Sequence, residues 1–155
     1  MKGNAEIVAT LNNLLADELT AINQYMVHSE MCDNWGYHKL HEAIEKRAVM
    51  EMKHAEMLIA RVIFLEGQPV VSKLKDIHIG QSVEEQLKND LKGEYDAVAG
   101  YNAGVKQAAS LGDNVSRELL ESILKDENDH VDWLEAQHDQ VKQMGIQVYL
   151  AQQVS

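Results

Sequence analysis

Glu51 and His54 form a Glu-x-x-His pattern, and Glu127 and His130 repeat it. A carboxylate and an imidazole three residues apart share one face of a helix. Leu40, Ile44, Leu58, Val62 and Leu65 fall on the same stripe as the first pair, and Leu120, Ile123, Leu134 and Val141 on that of the second. Both pairs are therefore expected to point into a core. The offset between the copies is 127 − 51 = 76, and adding 76 to Glu18 lands on Glu94. Glu18 interrupts the apolar stripe of Leu11, Leu14, Leu15, Ile22 and Tyr25, and Glu94 interrupts that of Leu87, Leu91, Val98 and Tyr101. Four buried carboxylates would repel one another and lose hydration, at several kcal/mol each. Two divalent cations would neutralise them. Carboxylate oxygen and imidazole nitrogen suit iron, manganese or zinc, whereas the absence of thiolate ligands disfavours copper(I) and iron–sulfur clusters. Arg47 falls beside this stripe and can either pair with a carboxylate or point into a cavity. Tyr25 and Tyr101 stand at helical spacing from Glu18 and Glu94, where they either support a ligand or fill the core.

Long helices are needed to present these groups. The sequence predicts a first helix over about residues 5–32, ending at Asn34 and Gly36, and a second over about 37–64, ending at Gly67 and Pro69. A third opens at Ser82 with Glu85 completing a capping box and closes near Ser110. A fourth starts from the cap Asp113, runs to about Met144 and gives way at Gly145 to a short terminal helix. The connector from Glu66 to Gln81 can span roughly 50 Å when extended, more than the roughly 42 Å of the second helix. It can run the length of the bundle, so helices two and three are expected to be parallel. The fold class is all-α: a four-helix bundle with one long crossover between helices two and three, in a single domain over residues 1–155.

Composition sets the surroundings. The formal charge of −11 argues against nucleic acid or an anionic membrane as partner and suits attraction of small cations. The single cysteine, Cys32, excludes an internal disulfide and any four-cysteine metal centre. No apolar run at the start of the chain is long enough for a signal peptide or a membrane span, and a cytoplasmic location is expected. Met52 lies about 100° around the helix from Glu51, on a second apolar face with Val49, Ala55, Ile59 and Ile63. A helix apolar on two faces has a second partner, and in a cyclic dimer that partner is the same face of another subunit.

The chain resembles the bacterioferritins over essentially its whole length: the opening MKG, LNNLLADEL, AINQY, NWG, EMKHA, IFLEG, VSREL, HVDWLE and the terminal YLAQQ all match motifs of that family. The ligand set, a Glu from each of two helices and a Glu-x-x-His from each of the other two, is that of ferritin-like di-iron bundles. The resemblance implies a cage of 24 identical subunits built from haem-bridged dimers. It implies a ferroxidase centre of Glu18, Glu51, His54, Glu94, Glu127 and His130, oxidising Fe²⁺ with O₂ or H₂O₂ and storing ferric mineral. It implies a b-type haem with Met52 as axial ligand, and a small iron–sulfur ferredoxin as reductant. Lys46 and Met50 replace the His and Asp that many relatives carry on the inner face, which removes the ligands of an inner-surface iron site. Two other readings are a haem-binding or structural cage subunit acting with a companion chain, and a di-iron peroxidase. The complete ligand set argues against the first. The lack of cysteine pairs argues against a peroxidase of the rubrerythrin kind.

Overall fold

Side-chain caps set where three of the helices begin. Asn4 Oδ1 accepts from Glu6 N at 2.7 Å, Ser82 Oγ from Glu85 N at 3.2 Å and Asp113 Oδ1 from Ser116 N at 3.0 Å, each satisfying a backbone donor that the first turn leaves free. The computed structural model describes residues 1–155. Its helices are α1 (Ala5–Asn34), α2 (His38–Phe64), α3 (Val83–Ser110), α4 (Asn114–Met144) and α5 (Ile146–Ala151). The capping box is shifted by one residue, since Glu85 accepts from Gln81 N at 3.1 Å and not from Ser82 N. At the end of α2 the left-handed residue is Glu66, with φ of 59°, and not Gly67. Gly67 is small for another reason. A Cβ there would lie 2.6 Å from Val8 Cγ1, so the glycine lets the start of α1 close against the turn.

Polar contacts fix the helix directions. Tyr101 on α3 reaches Glu18 on α1, and Tyr25 on α1 reaches Glu94 on α3, so these two helices are antiparallel. Gly3 N donates to Leu65 O at 3.0 Å while Ser29 meets His41 at the other end, which makes α1 and α2 antiparallel as well. Helices α2 and α3 are therefore parallel, as the length of the connector requires. The hairpins α1–α2 and α3–α4 meet chiefly along α1 and α3.

The core is divided in two. One apolar cluster gathers Ile7, Leu11, Leu14, Leu15, Leu58 and Leu120 with their neighbours, and the other Tyr25, Leu40, Ile44, Leu87, Leu134 and Tyr149 with theirs. The charged positions of the four helices lie between them. Tyr149 of α5 donates to Gln137 Oε1 at 2.7 Å, tying the terminal helix to α4.

A row of side chains on α1 holds the crossover. Asn12 Nδ2 donates to Gln68 O at 3.0 Å and Asn12 Oδ1 accepts from Val70 N at 2.9 Å. Further along, Lys75 N donates to Thr20 Oγ1 at 2.8 Å, His78 N to Gln24 Oε1 at 3.0 Å and Gly80 N to His28 Nε2 at 3.0 Å. Because Nε2 accepts, Nδ1 of His28 carries the proton and donates to the buried Asp90 at 2.9 Å. A Cβ at Gly80 would lie 2.4 Å from Gln86 N, whereas one at Gly93, inside α3, would meet nothing within 4 Å. Gly80→Ala is expected to destabilise the fold by about 1–3 kcal/mol and Gly93→Ala to stabilise it by about 0.5–1 kcal/mol. Urea denaturation of the two variants checks the opposite signs.

Candidate metal centre

Each of the four long helices brings one carboxylate to the layer between the two apolar clusters. Glu18, Glu51, His54, Glu94, Glu127 and His130 are all buried, and the structure brings all six together. Ligand atoms of Glu18, Glu51, His54 and Glu127 lie within 4.8 Å of one another, and so do those of Glu51, Glu94 and His130. Glu51 belongs to both groups. Glu127 turns Oε1 toward His54 Nδ1, at 3.3 Å, and Oε2 toward Arg47 Nη2, at 3.0 Å. Each of the two adjacent groups could hold a cation.

The surroundings follow the 76-residue offset in part. Tyr25 donates to Glu94 Oε1 and Tyr101 to Glu18 Oε1, and 101 − 25 is again 76. Burial above all holds both phenols well above their usual range, so they remain neutral donors. His54 Nε2 meets Asp126 Oδ2 at 2.9 Å, which orients its ring and leaves Nδ1 facing the carboxylates. The position related to Asp126 is Met50 (126 − 76 = 50), which has no carboxylate to do the same for His130. His130 instead sits between the edge of Tyr25, at 5.6 Å, and a stacked Trp133, at 5.9 Å, with Nδ1 at 2.8 Å from Glu94.

Arg47 takes the first of its two sequence alternatives and pairs with carboxylates. Its Nη2 lies 2.7 Å from Glu51 Oε1, 3.0 Å from Glu127 Oε2 and 3.9 Å from Glu94 Oε2. Nη1 donates to the Asp126 carbonyl at 3.2 Å.

Charge in this layer is shared among protons and internal cations. Burial pushes Glu51 up to about 8, helped by the Glu18 charge, and burial followed by the proximity of Glu94 raises Glu127 well above the carboxylate range. Glu18 is raised, again chiefly by burial. For Glu94 burial is outweighed by the neighbouring Glu127, by the contact with His130 and by the Arg47 charge, which bring it down to about 2. For His54 burial is likewise outweighed, by the nearby carboxylates of Glu127, Glu18 and Glu51, which lift it to about 12. Each glutamate still has one buried oxygen without a hydrogen-bond partner: Glu18 Oε2, Glu51 Oε1, Glu94 Oε2 and Glu127 Oε1. Glu51 Oε1 is close to Arg47 but out of line with its N–H bonds. Such oxygens are rare in a core, and together with the two imidazoles they fit divalent iron, manganese or zinc.

A cavity of about 380 Å³ opens beside the layer, between α1, α3 and the crossover. Asp17, Asp76 and Asp96 line it on the way to Glu18 and Glu94, and Lys75 pairs with Asp17 across it. Sequence reasoning did not single out Asp17, Asp76, Asp96 or Asp126. None lies on an apolar stripe, and only the Glu-x-x-His offset could have drawn attention to Asp126.

A model of the Ferritin-like domain matches residues 8–144. Over 149 residues the chain is 42% identical to the Bacterioferritin of Brucella melitensis biotype 1, covering 96% of this chain and 92% of that protein. The chain belongs to the bacterioferritin family. The Bacterioferritin of Rhodobacter capsulatus is 42% identical over 147 residues, or 95% of this chain and 91% of the relative. Bacterioferritin BfrA of Mycobacterium tuberculosis is 39% identical over 155 residues, 100% and 98% of the two chains. No helix of this family member is long and apolar enough to cross a membrane.

The charge state has a pH signature. Between its ordinary 4.5 and its folded value of about 8, Glu51 is ionised in the unfolded chain and protonated in the folded one, so rising pH removes stability. His54, raised from 6.5 to about 12, slopes the same way above 6.5. The melting temperature of chelator-treated protein is expected to fall between about pH 5 and pH 8, and the upward shift given by Zn²⁺ to widen, since fewer protons must be displaced. Differential scanning calorimetry of the wild type and Glu51→Gln, which cannot ionise and should flatten the slope, checks this.

Proposed function

We propose that this chain stores iron as a subunit of a homomeric cage and is itself the ferroxidase, taking Fe²⁺ as substrate at Glu18, Glu51, His54, Glu94, Glu127 and His130. Its bacterioferritin family membership supports the storage role. The observation that carries the ferroxidase reading is the convergence of four buried carboxylates, each with an unpartnered oxygen, on two imidazoles. Glu18 and His54 would hold one iron, Glu94 and His130 the other, with Glu51 and Glu127 between them. Two bound Fe²⁺ supply one electron each: O₂ accepts both with two protons and leaves as H₂O₂, or H₂O₂ accepts them and its O–O bond breaks to give two waters.

The residues of the chain position, neutralise and exclude. Four carboxylate charges match two divalent cations, so binding releases the protons that burial holds on Glu51 and Glu127. Tyr25 and Tyr101 fix one oxygen each of Glu94 and Glu18 and leave the other oxygen for metal. The apolar clusters close the layer above and below, and the cavity that reaches its four glutamates is left as the opening. The acid-lined cavity, in a chain of formal charge −11, favours the approach of cations.

The outer face of α2 supports the haem role of Met52. Met52, Val49 and Ile63 are 44%, 43% and 59% exposed, an apolar set that a second subunit would cover. Ala55 does not belong to that face. It is buried in the first core cluster, and Ile59 packs against the same cluster, because α1 covers that side of the helix. A second copy of the chain would bring two Met52 sulfurs across one axis, where thioether sulfur is a competent haem iron ligand. The cage would hold 24 subunits in the cytoplasm, with a small iron–sulfur ferredoxin returning electrons through the haem.

Glu94→Ala is expected to slow Fe²⁺ oxidation by more than the roughly 10–100-fold that loss of an outer-shell partner produces, with helix content unchanged. Stopped-flow absorbance at about two Fe²⁺ per chain measures it, and wild-type speed would overturn the assignment. Met52→Leu keeps volume and apolarity but removes the sulfur. It is expected to retain assembly and Fe²⁺ oxidation while losing the haem Soret band; full haem content in that variant would exclude Met52 as the ligand.

A further inference from the structure

Arg47 faces one oxygen of each shared glutamate, Glu51 Oε1 and Glu127 Oε2, while His54 Nδ1 faces the other two, Glu51 Oε2 and Glu127 Oε1, both at 3.3 Å, so the guanidinium stands on the side of the layer that also holds Glu94. All three of its side-chain ion pairs are with Glu51, Glu127 and Glu94, and none is with Glu18. Its hold is incomplete. Nε is buried without a partner, and the contact with Glu51 Oε1 is close but misaligned. A single positive charge held this way is a weaker match for three carboxylates than a divalent ion.

The arrangement is one-sided. Adding the offset that relates the two halves of the site, 47 + 76 = 123, gives Ile123, a fully buried member of the apolar core. No arginine therefore stands over the position formed by Glu18 and His54. That position also has the better-anchored imidazole, since Asp126 holds His54 and Met50 stands where an equivalent carboxylate would hold His130. The Arg47 side chain has a way out. It is 11% exposed, and its Nη1 is already bonded to the backbone of Asp126, whose own side chain is 42% exposed.

Resting on the reading of two metal positions, we propose that Arg47 is an internal competitor for the Glu94–His130 position, so that the two positions fill in a fixed order. The first divalent cation binds at Glu18 and His54. The second enters only when the guanidinium swings outward toward Asp126 and gives up Glu51, Glu94 and Glu127. Single-iron loading, which cannot deliver two electrons to one oxidant, is thereby separated from double loading by a side-chain movement. Arg47 acts as a positioning residue that sets the affinity of the second site.

The test uses Co²⁺, which reports its ligands by visible absorbance and is not oxidised under anaerobic conditions. The assembled protein is titrated as wild type, Arg47→Met and Arg47→Lys, with calorimetry in parallel. Wild type is expected to bind two Co²⁺ per chain in two resolved steps. Arg47→Met should strengthen the second step by about tenfold or more, the scale set by removing one charge at this distance, and leave the first within about twofold. Arg47→Lys, which keeps the charge, should keep the steps resolved. The melting temperature of chelated Arg47→Met should fall while that of its Co²⁺-loaded form matches wild type. Two steps with unchanged constants in Arg47→Met would overturn the competitor role and leave the two-position reading standing. Weakening of both steps would overturn it in favour of a purely structural arginine. Binding of fewer than two Co²⁺ by the wild type would overturn the two-position reading itself.

Discussion

Four carboxylates taken out of water in a single layer are the constraint around which this protein is built. Removing one such charge from solvent carries a penalty of several kcal/mol even after relaxation, and the fold answers it from every direction at once. Arg47 and His54 bring positive charge, Tyr25 and Tyr101 bring neutral donors, and Glu51 and Glu127 keep protons that an exposed glutamate would lose. The apolar clusters above and below prevent the layer from relaxing into water and hold each ligand on a rigid helix. A site with this much unspent attraction for cations has to be supported by four long helices, since no loop could hold it in place.

The internal two-fold relation explains both what repeats and what does not. The offset of 127 − 51 = 76 carries Glu18, Glu51, His54 and Tyr25 onto Glu94, Glu127, His130 and Tyr101. It fails at Asp126 against Met50 and at Arg47 against Ile123. Ligand types are symmetric, and the groups behind them are not. Two groups with the same kinds of donor are in this way given different surroundings.

Much of this was legible in the sequence because it rests on periodicity. A carboxylate that breaks an apolar stripe must point into the core, so the burial of Glu18, Glu51, Glu94 and Glu127, with an imidazole three residues after two of them, followed from spacing, and the parallel placement of α2 and α3 from the length of the crossover. The caps Ser82 and Asp113 were legible because their chemistry is local. The left-handed Glu66 was not, since that conformation is normally left to glycine and here falls one residue before Gly67. Arg47 could be placed beside the stripe but not oriented, because a long side chain on the border of a face can turn either way. The role of His28 was hidden for another reason: its partners, Gly80 and Asp90, lie 52 and 62 positions away along the chain.

The crossover, held by Asn12, Thr20, Gln24 and His28, has a further consequence. Connectors usually tolerate added or deleted residues because little depends on their register. Here successive backbone amides at Val70, Lys75, His78 and Gly80 each meet a side chain at a fixed height along one helix. A one-residue insertion would put every later rung out of step, as a slipped tooth does on a rack. The segment looks like a loop by secondary structure, yet it behaves as a measured spacer, and in lineages that keep this ladder its length should drift far less than its composition.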